Sequence, residues 1–352
     1  MFSYHFMSAM SRASSGPTRA LSRAEGRPAE RKAAAAARAE STNTVLRWWP
    51  SFAARCVATA TIEISAKAGD IPIDDATGFQ PSNHCRTYEA TGRVPSVTQR
   101  LFTGVGVALV TLFGDDGRLD AAGTAQLAGQ LVELGVRAVV VAGSTGEASA
   151  LSPDERSQLL RAVRAAVPAG SGVPVLAGTG AATPAEAADL TRRALDDGAD
   201  AFLALSPPGS EDLAGYYGAV ANAARGCPVF GYHFPDKSSP GIAVEELAGL
   251  PISGCKDSTS DADRMLRTVA SWDRPLYTGS SALVALAGAV GCAGAILALA
   301  NARPELCQEA FEGSLDAQGQ LVGPHLTAKN DFPAGIKGLT ADRFGTPTAA
   351  RL

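Results

Sequence analysis

Residues 137–207 read RAVVVAGSTGEASALSPDERSQLLRAVRAAVPAGSGVPVLAGTGAATPAEAADLTRRALDDGADAFLALSP. Three short apolar runs, RAVVVAG, VPVLAGTG and AFLALSP, are separated by two longer amphipathic ones. The short runs are the right length for buried strands. The first amphipathic run starts with Ser152 as N-cap, Pro153 at the first helical position and Glu155 as capping-box partner. The second repeats the device with Thr183, Pro184 and Glu186, and stops at Gly198. Two helices built with one start grammar, each between buried strands, predict repeated βα units on a parallel sheet.

The pattern extends in both directions. GVGVALVTLF precedes it; PVFGYHF, ISGCK, PLYTG and AGAILALA follow, all within Phe102–Asn301. Eight strand–helix units over this length read as a (β/α)8 TIM barrel. An open doubly wound sheet is the competitor. The Rossmann glycine fingerprint that would favour it is missing, since GTGAAT from Gly178 lacks the third glycine. There is no G-x-S-x-G elbow and no P-loop. We expect a barrel over 101–301 and a C-terminal helical extension over 302–352. ARPELCQEAFEGSLDAQGQLVG supplies its first helices, and an ending at FGTPTAARL makes the extension look shortened.

Residues 1–100 differ in composition. SRASSGPTRALSRAEGRPAERKAAAAARAE is rich in Ala, Arg and Ser and poor in acids, as in an organelle transit peptide or in translated upstream sequence. We assign this segment no fold. The expected location is the cytoplasm, or an organelle matrix if the segment is a targeting signal.

The whole chain carries 31 Lys and Arg against 35 Asp and Glu, a balance that gives no nucleic-acid surface. No run reaches the length of a membrane-spanning helix. The six cysteines show no C-x-x-C spacing and the four histidines are scattered, so no metal site is expected. Cys227, Cys255 and Cys292 lie in apolar runs and read as small core residues.

In PISGCKDSTS, Lys256 closes the sixth strand. Burial there would strip a charged ammonium of solvent and favour the neutral amine, a nucleophile. The competing reading is a strand-end lysine pointing into water. In a TIM barrel the chemistry sits at the C-terminal ends of strands. Tyr232 lies near the end of strand five, and Ser144 and Thr145 follow strand two, so three reactive groups converge on Lys256's mouth of the barrel.

Five motifs then stand in one order: GSTGEASALSPDER from Gly143, AGTGAATPAEA from Ala177, GYHFP from Gly231, GCKDS from Gly254 and TGSS from Thr278. Their spacing resembles the dihydrodipicolinate synthase/N-acetylneuraminate lyase family of pyruvate-dependent class I aldolases, from about Phe102 to the chain end. The resemblance implies a homodimeric or homotetrameric barrel with no cofactor and no metal. It implies that Lys256 forms a Schiff base with pyruvate and that Tyr232 relays protons above the imine. Ser144 and Thr145 would hold the pyruvate carboxylate at the start of the following helix. Ile296 in GAILALAN would touch pyruvate through its backbone, and Gly279 would lie near the keto acid. Without the resemblance, these positions read as an ordinary turn, a core residue and a turn glycine. Glu147 either orients the Ser144–Thr145 loop or pairs charge at a helix start.

Departures from the family concern the second substrate. Lysine-pathway synthases have an aromatic pair after the strand-four proline; here LSPPGSED puts Pro208 and Gly209 there. Tyr216 and Tyr217 come later and read as packing residues. Lys237 in PDKSSPG stands for an arginine that grips a carboxylate, and it supplies charge without a bidentate fork. His233 replaces the commoner asparagine, as a loop residue or as a polar contact to the second substrate. The KDS and ALAN stretches look more like 4-hydroxy-2-oxoglutarate aldolases and related 2-keto-acid aldolases. The expected reaction therefore joins pyruvate to an aldehyde or 2-keto acid, or releases it, with lysine-pathway synthesis as the alternative. Two other classes compete: a keto-acid-binding barrel without turnover, and a barrel enzyme for a phosphorylated substrate.

Overall fold

The computed structural model describes residues 100–352; the expectations for the N-terminal segment lie outside the described residues. Eight parallel strands close into a barrel in sequence order. They are β1 Gly104–Ala108, β2 Val139–Val141, β3 Val175–Gly178, β4 Ala201–Leu205, β5 Val229–His233, β6 Gly254–Asp257, β7 Leu276–Thr278 and β8 Gly294–Leu297. Closure comes from β1 pairing with β8, Gly104 against Gly294 through Val107 against Leu297. Each strand lies within a stretch picked out by its apolar run, except that β6 continues one residue further, to Asp257.

The helices between strands are α1 Ala121–Glu133, α2 Pro153–Ala166, α3 Pro184–Asp196, α4 Leu213–Ala223, α5 Ala262–Ser271 and α6 Val284–Ala289. Both expected capping boxes form, Ser152 with Glu155 and Thr183 with Glu186. Such a cap stabilises its helix by about 1 kcal/mol. On α2 the face turned to the barrel carries Leu159, Leu160 and Val163, all buried. Each such side chain contributes about 1.5–3 kcal/mol on burial. The fifth connection breaks the pattern: a short 3₁₀ helix, Val244–Gly249, stands where a helix was expected.

Strand alternation makes two cores. One lies between sheet and helices and includes Val139, Val175, Phe202, Val229, Cys255 and Leu297. The other fills the barrel interior and includes Val140, Leu176, Leu203, Phe230, Tyr232 and Ile296. Phe102 stacks on Tyr277 with ring centres 4.6 Å apart, and the Tyr277 hydroxyl donates to the Phe102 carbonyl at 3.0 Å. Cys227, Cys255 and Cys292 are buried, as their apolar context predicts. Tyr216 and Tyr217 are packing residues; Tyr217 donates to the Ala204 carbonyl at 3.1 Å.

Past β8 the chain continues as α7 Pro304–Phe311, α8 Leu315–Gln320, α9 Val322–Asn330 and α10 Ala334–Phe344. Asn301 locks the junction to β1, accepting from Val110 N at 3.0 Å and donating to the Ala108 carbonyl at 2.7 Å. Among the described residues no helix is long and apolar enough to cross a membrane.

Candidate active site

A cavity of about 460 Å3 opens at the C-terminal end of the barrel. Ser144, Thr145, Tyr232, Lys237, Lys256 and Gly279 all line it. The first five bring hydroxyls, a phenol and two amines to one place, as expected from their strand ends.

The β5–β6 register explains why the amine and the phenol meet. Tyr232 pairs with Lys256, so both side chains point the same way. That way is inward, because Phe230 and Tyr232 belong to the interior core while Val229 and Cys255 face the helices. Lys256 is 5% exposed and Tyr232 4%. The Lys256 Nζ sits 4.4 Å from the Tyr232 ring centre. Phe234 stacks on Tyr232 with 5.8 Å between ring centres. Ser258 continues the inward face of β6 and its Oγ lies 3.4 Å from the Tyr232 hydroxyl.

Gly279 lies against this cluster. A Cβ there would lie 1.8 Å from Ser258 Oγ and 2.9 Å from Lys256 Cε. Real side chains do not approach so closely, so a larger residue there would displace both neighbours from these positions.

The turn after β2 carries Ser144 and Thr145. It is closed by Gly143, whose carbonyl accepts from Gly146 N and Ala148 N, each at 3.1 Å. Thr111 ties it to the β1 loop by donating to the Gly146 carbonyl at 2.8 Å. Gly178 on β3 lets the turn pack down, since a Cβ there would lie 2.1 Å from the Ala142 carbonyl oxygen. The expectation that the pair stands at the start of a helix is corrected. α2 begins only at Pro153, after a 3₁₀ turn at Ala148–Ala150. Ala142 and Glu147 both have φ of 51°, which takes the backbone off a helical path. The polar groups that this turn offers are its own hydroxyls and amides, not a helix N-terminus.

Of the two readings of Glu147, charge pairing at a helix start does not fit, because its carboxylate is turned to the C-terminal helices. Its carboxylate is fully buried and meets Lys337 Nζ of α10 at 2.5 Å.

His233 is the clearest correction. It follows Tyr232 and so points out of the barrel, away from the cavity. Its Nδ1 accepts from Ile242 N at 2.8 Å. Burial, then the Arg264 charge beside it, pushes the imidazole down to about 4, against a smaller opposing effect from Asp257. It is neither a loop residue nor a contact for a ligand in the cavity. Asp257, its register partner on β6, also faces outward and holds Arg264 at 2.7 Å.

Ile296 lies in the interior core on β8, beneath the cavity; Ala298 and Leu299 line the cavity wall above it. Lys237 is exposed at the rim, its Nζ 5.6 Å from the Phe332 ring centre.

Sequence reasoning missed two groups. Ser258 lies two residues beyond Lys256, and the two-residue strand period places it on the same face. His325 and Lys329 come from α9 and also line the cavity. Their four-residue spacing puts them on one helix face. His325 Nδ1 is 2.8 Å from Ser281 Oγ, and burial, with Lys329 nearby, holds its imidazole below the ordinary value. Among the described residues no cluster of His, Cys, Asp and Glu is arranged to hold a metal ion.

Comparison with known proteins agrees on one family. The profile of the Dihydrodipicolinate synthetase family matches residues 101–326. The 4-hydroxy-tetrahydrodipicolinate synthase of Xanthomonas axonopodis pv. citri (strain 306) is 40% identical over 229 residues, 61% of this chain and 75% of the relative. Among solved structures, dihydrodipicolinate synthase DapA-2 from Bacillus anthracis superposes with a TM-score of 0.66 at 27% identity, covering 71% of this chain and 91% of that one. YagE, a prophage protein of the dihydrodipicolinic acid synthase family from E. coli K12 solved with pyruvate, gives a TM-score of 0.64 at 26% identity, with 71% and 91% covered.

Proposed function

The chain belongs to the Dihydrodipicolinate synthetase family, whose members are pyruvate-dependent class I aldolases, and from that premise we propose that Lys256 forms a Schiff base with pyruvate and adds the resulting enamine to an aldehyde that carries a carboxylate. The observation that carries the reading is the in-register pair of Tyr232 and Lys256 at the inner end of a cavity that Ser144 and Thr145 also line.

The residues divide the work. The Lys256 amine attacks the ketone carbon of pyruvate, and loss of water with uptake of a proton gives a protonated imine. That imine draws electrons from the adjacent methyl carbon, which sheds a proton to become an enamine. The enamine carbon bonds to the aldehyde carbon, the aldehyde oxygen takes up a proton, and water frees the product from the lysine. Tyr232 carries protons at the carbinolamine and carbon–carbon steps, its phenol being beside the amine. Ser144 and Thr145 hold the pyruvate carboxylate with hydroxyls and backbone N–H groups. Gly279 admits the keto acid next to the amine, and Ile296 supports the site from the interior core of β8.

Lys237 and Lys329 support an anionic second substrate. Both stand on the cavity wall, away from the β2 turn in the chain, with Asp236 as the acid there. The 4-hydroxy-tetrahydrodipicolinate synthases among the relatives favour the amino-acid aldehyde that yields this product with pyruvate. A second reading, aldol cleavage of a 4-hydroxy-2-oxo acid to pyruvate and glyoxylate, is favoured by Pro208 and Gly209, which carry no proton-relay group on the loop after β4.

We read 101–301 as the barrel and 302–352 as its extension. Leu315, Val322 and Leu326 are exposed on that extension, which fits assembly into a homodimer or homotetramer. Pyruvate consumption with the amino-acid aldehyde and pyruvate release from the 4-hydroxy-2-oxo acid separate the readings. Turnover in the first assay alone supports the synthase, and turnover in the second alone supports the aldolase.

A further inference from the structure

Glu147 sits two residues past Thr145, and its partners come from the far end of the chain. One carboxylate oxygen meets Lys337 Nζ at 2.5 Å. The other accepts from Arg351 N at 2.6 Å and Leu352 N at 3.0 Å. A fully buried carboxylate is costly unless its oxygens are satisfied, and here the satisfying groups all belong to α10 and the segment after it.

That segment is itself fastened around the turn. The Arg351 guanidinium donates to the Gly117 carbonyl at 2.8 Å, the Ala150 carbonyl at 3.0 Å and Glu155 Oε1 at 2.7 Å. It lies 4.3 Å from the centre of the Phe113 ring, and Lys337 Nζ lies 4.4 Å from the same ring centre. Lys337 also donates to the Ala349 carbonyl. The contacts therefore reach the β1 loop, the β2 turn and the start of α2. The turn has φ of 51° at both Ala142 and Glu147, a conformation that ordinary side chains hold only when their surroundings impose it.

We propose that residues 349–352, with Lys337, form a strap that positions the Ser144–Thr145 turn through Glu147, and so sets the affinity of the site for the carboxylate of a 2-keto acid. This rests on the reading that the turn takes the pyruvate carboxylate. Glu147, Lys337 and Arg351 are positioning residues, since none lines the cavity.

The test compares the full chain with Lys337→Met, Arg351→Ala and the double variant Glu147→Gln/Lys337→Met. Pyruvate KM, kcat, the KM of the second substrate, and amide hydrogen exchange at residues 143–148 are measured in each. The strap predicts that Lys337→Met and Arg351→Ala raise pyruvate KM by about fivefold to tenfold, with kcat at saturating pyruvate changed less than about twofold. Exchange at 143–148 speeds up while that of β4 and β5 does not. The double variant removes both buried charges together and recovers part of the loss in Lys337→Met. Unchanged pyruvate KM and unchanged exchange at the turn, in variants that melt lower, would make the strap a stabilising feature alone and overturn the proposal. If the parent chain forms no pyruvate adduct at all, the reading of the site fails, and faster exchange at 143–148 in the variants still separates a positioning strap from an inert one.

Discussion

Tyr232 and Lys256 are register partners across β5 and β6, with the amine nitrogen 4.4 Å from the centre of the phenol ring. The contact uses the face of the ring, and the hydroxyl remains beside Ser258. Ring and hydroxyl can therefore be separated by mutation. Tyr232→Phe keeps the stack on Phe234 and the shape around Lys256 but removes the proton carrier. We expect kcat to fall by about 10²–10⁴-fold with a melting temperature within a few degrees of the parent. Stopped-flow measurement of imine formation and steady-state turnover, taken together, show which proton step is lost. Undiminished turnover would remove Tyr232 from the mechanism.

Gly279→Ala tests the crowding around the amine. The new methyl group would overlap Ser258 Oγ and press on Lys256 Cε. The nearby side chains must move, and Lys256 moves with them. A displacement of even 1 Å in a reacting group can cost about 100-fold in rate. We expect a loss of that order in kcat/KM with the fold retained by circular dichroism. Parent-like kinetics would mean that the close approach has no part in placing the amine.

His233 gives a pH prediction. Its folded imidazole is pushed down to about 4, mainly by burial and next by Arg264, from an ordinary value of 6.5. The unfolded chain thus binds a proton there at a higher pH than the native one does. The resulting stability is fully present above about pH 6.5 and is lost as pH falls through about 4. Arg264 and Asp257 are the charged groups that face it. His233→Gln should flatten the decline of melting temperature between those values while leaving pyruvate KM unchanged. An equally steep decline in the variant, or a raised KM, would contradict an outward-facing structural histidine.

The barrel was legible because its signals are local. Capping residues at Ser152 and Thr183 act within one turn, and the strand runs need only a period of two. The same period tells Lys256, Tyr232 and Ser258 from His233 and Asp257, once an inward residue is known. What local pattern does not carry is the meeting of distant segments. Nothing near Glu147 announces Lys337 or Arg351, because a buried carboxylate is satisfied by whichever donors the fold brings. His325 and Lys329 share a helix face, but the packing of α9 over the barrel mouth decides what that face meets. The 3₁₀ helix Val244–Gly249 escaped notice because a short amphipathic stretch reads the same in either helical form.

Lys329 and Lys237 should matter for the second substrate and not for the first. Removing one charge, as in Lys329→Met or Lys237→Met, should raise the KM of an anionic aldehyde about tenfold, equivalent to about 1.4 kcal/mol. The effect should shrink at high salt, since exposed charges are screened. Adduct formation with pyruvate should stay at the parental rate. A change in pyruvate KM with none in that of the aldehyde would reverse the assignment of the two ends of the cavity.

The most direct measurement of the central claim is borohydride trapping with pyruvate, followed by intact-protein and peptide mass spectrometry. The account predicts a single reduced pyruvate adduct on the peptide that contains Lys256, absent from Lys256→Ala and from protein treated without pyruvate. A well-folded protein that gives no adduct, or gives one on another lysine, would contradict it.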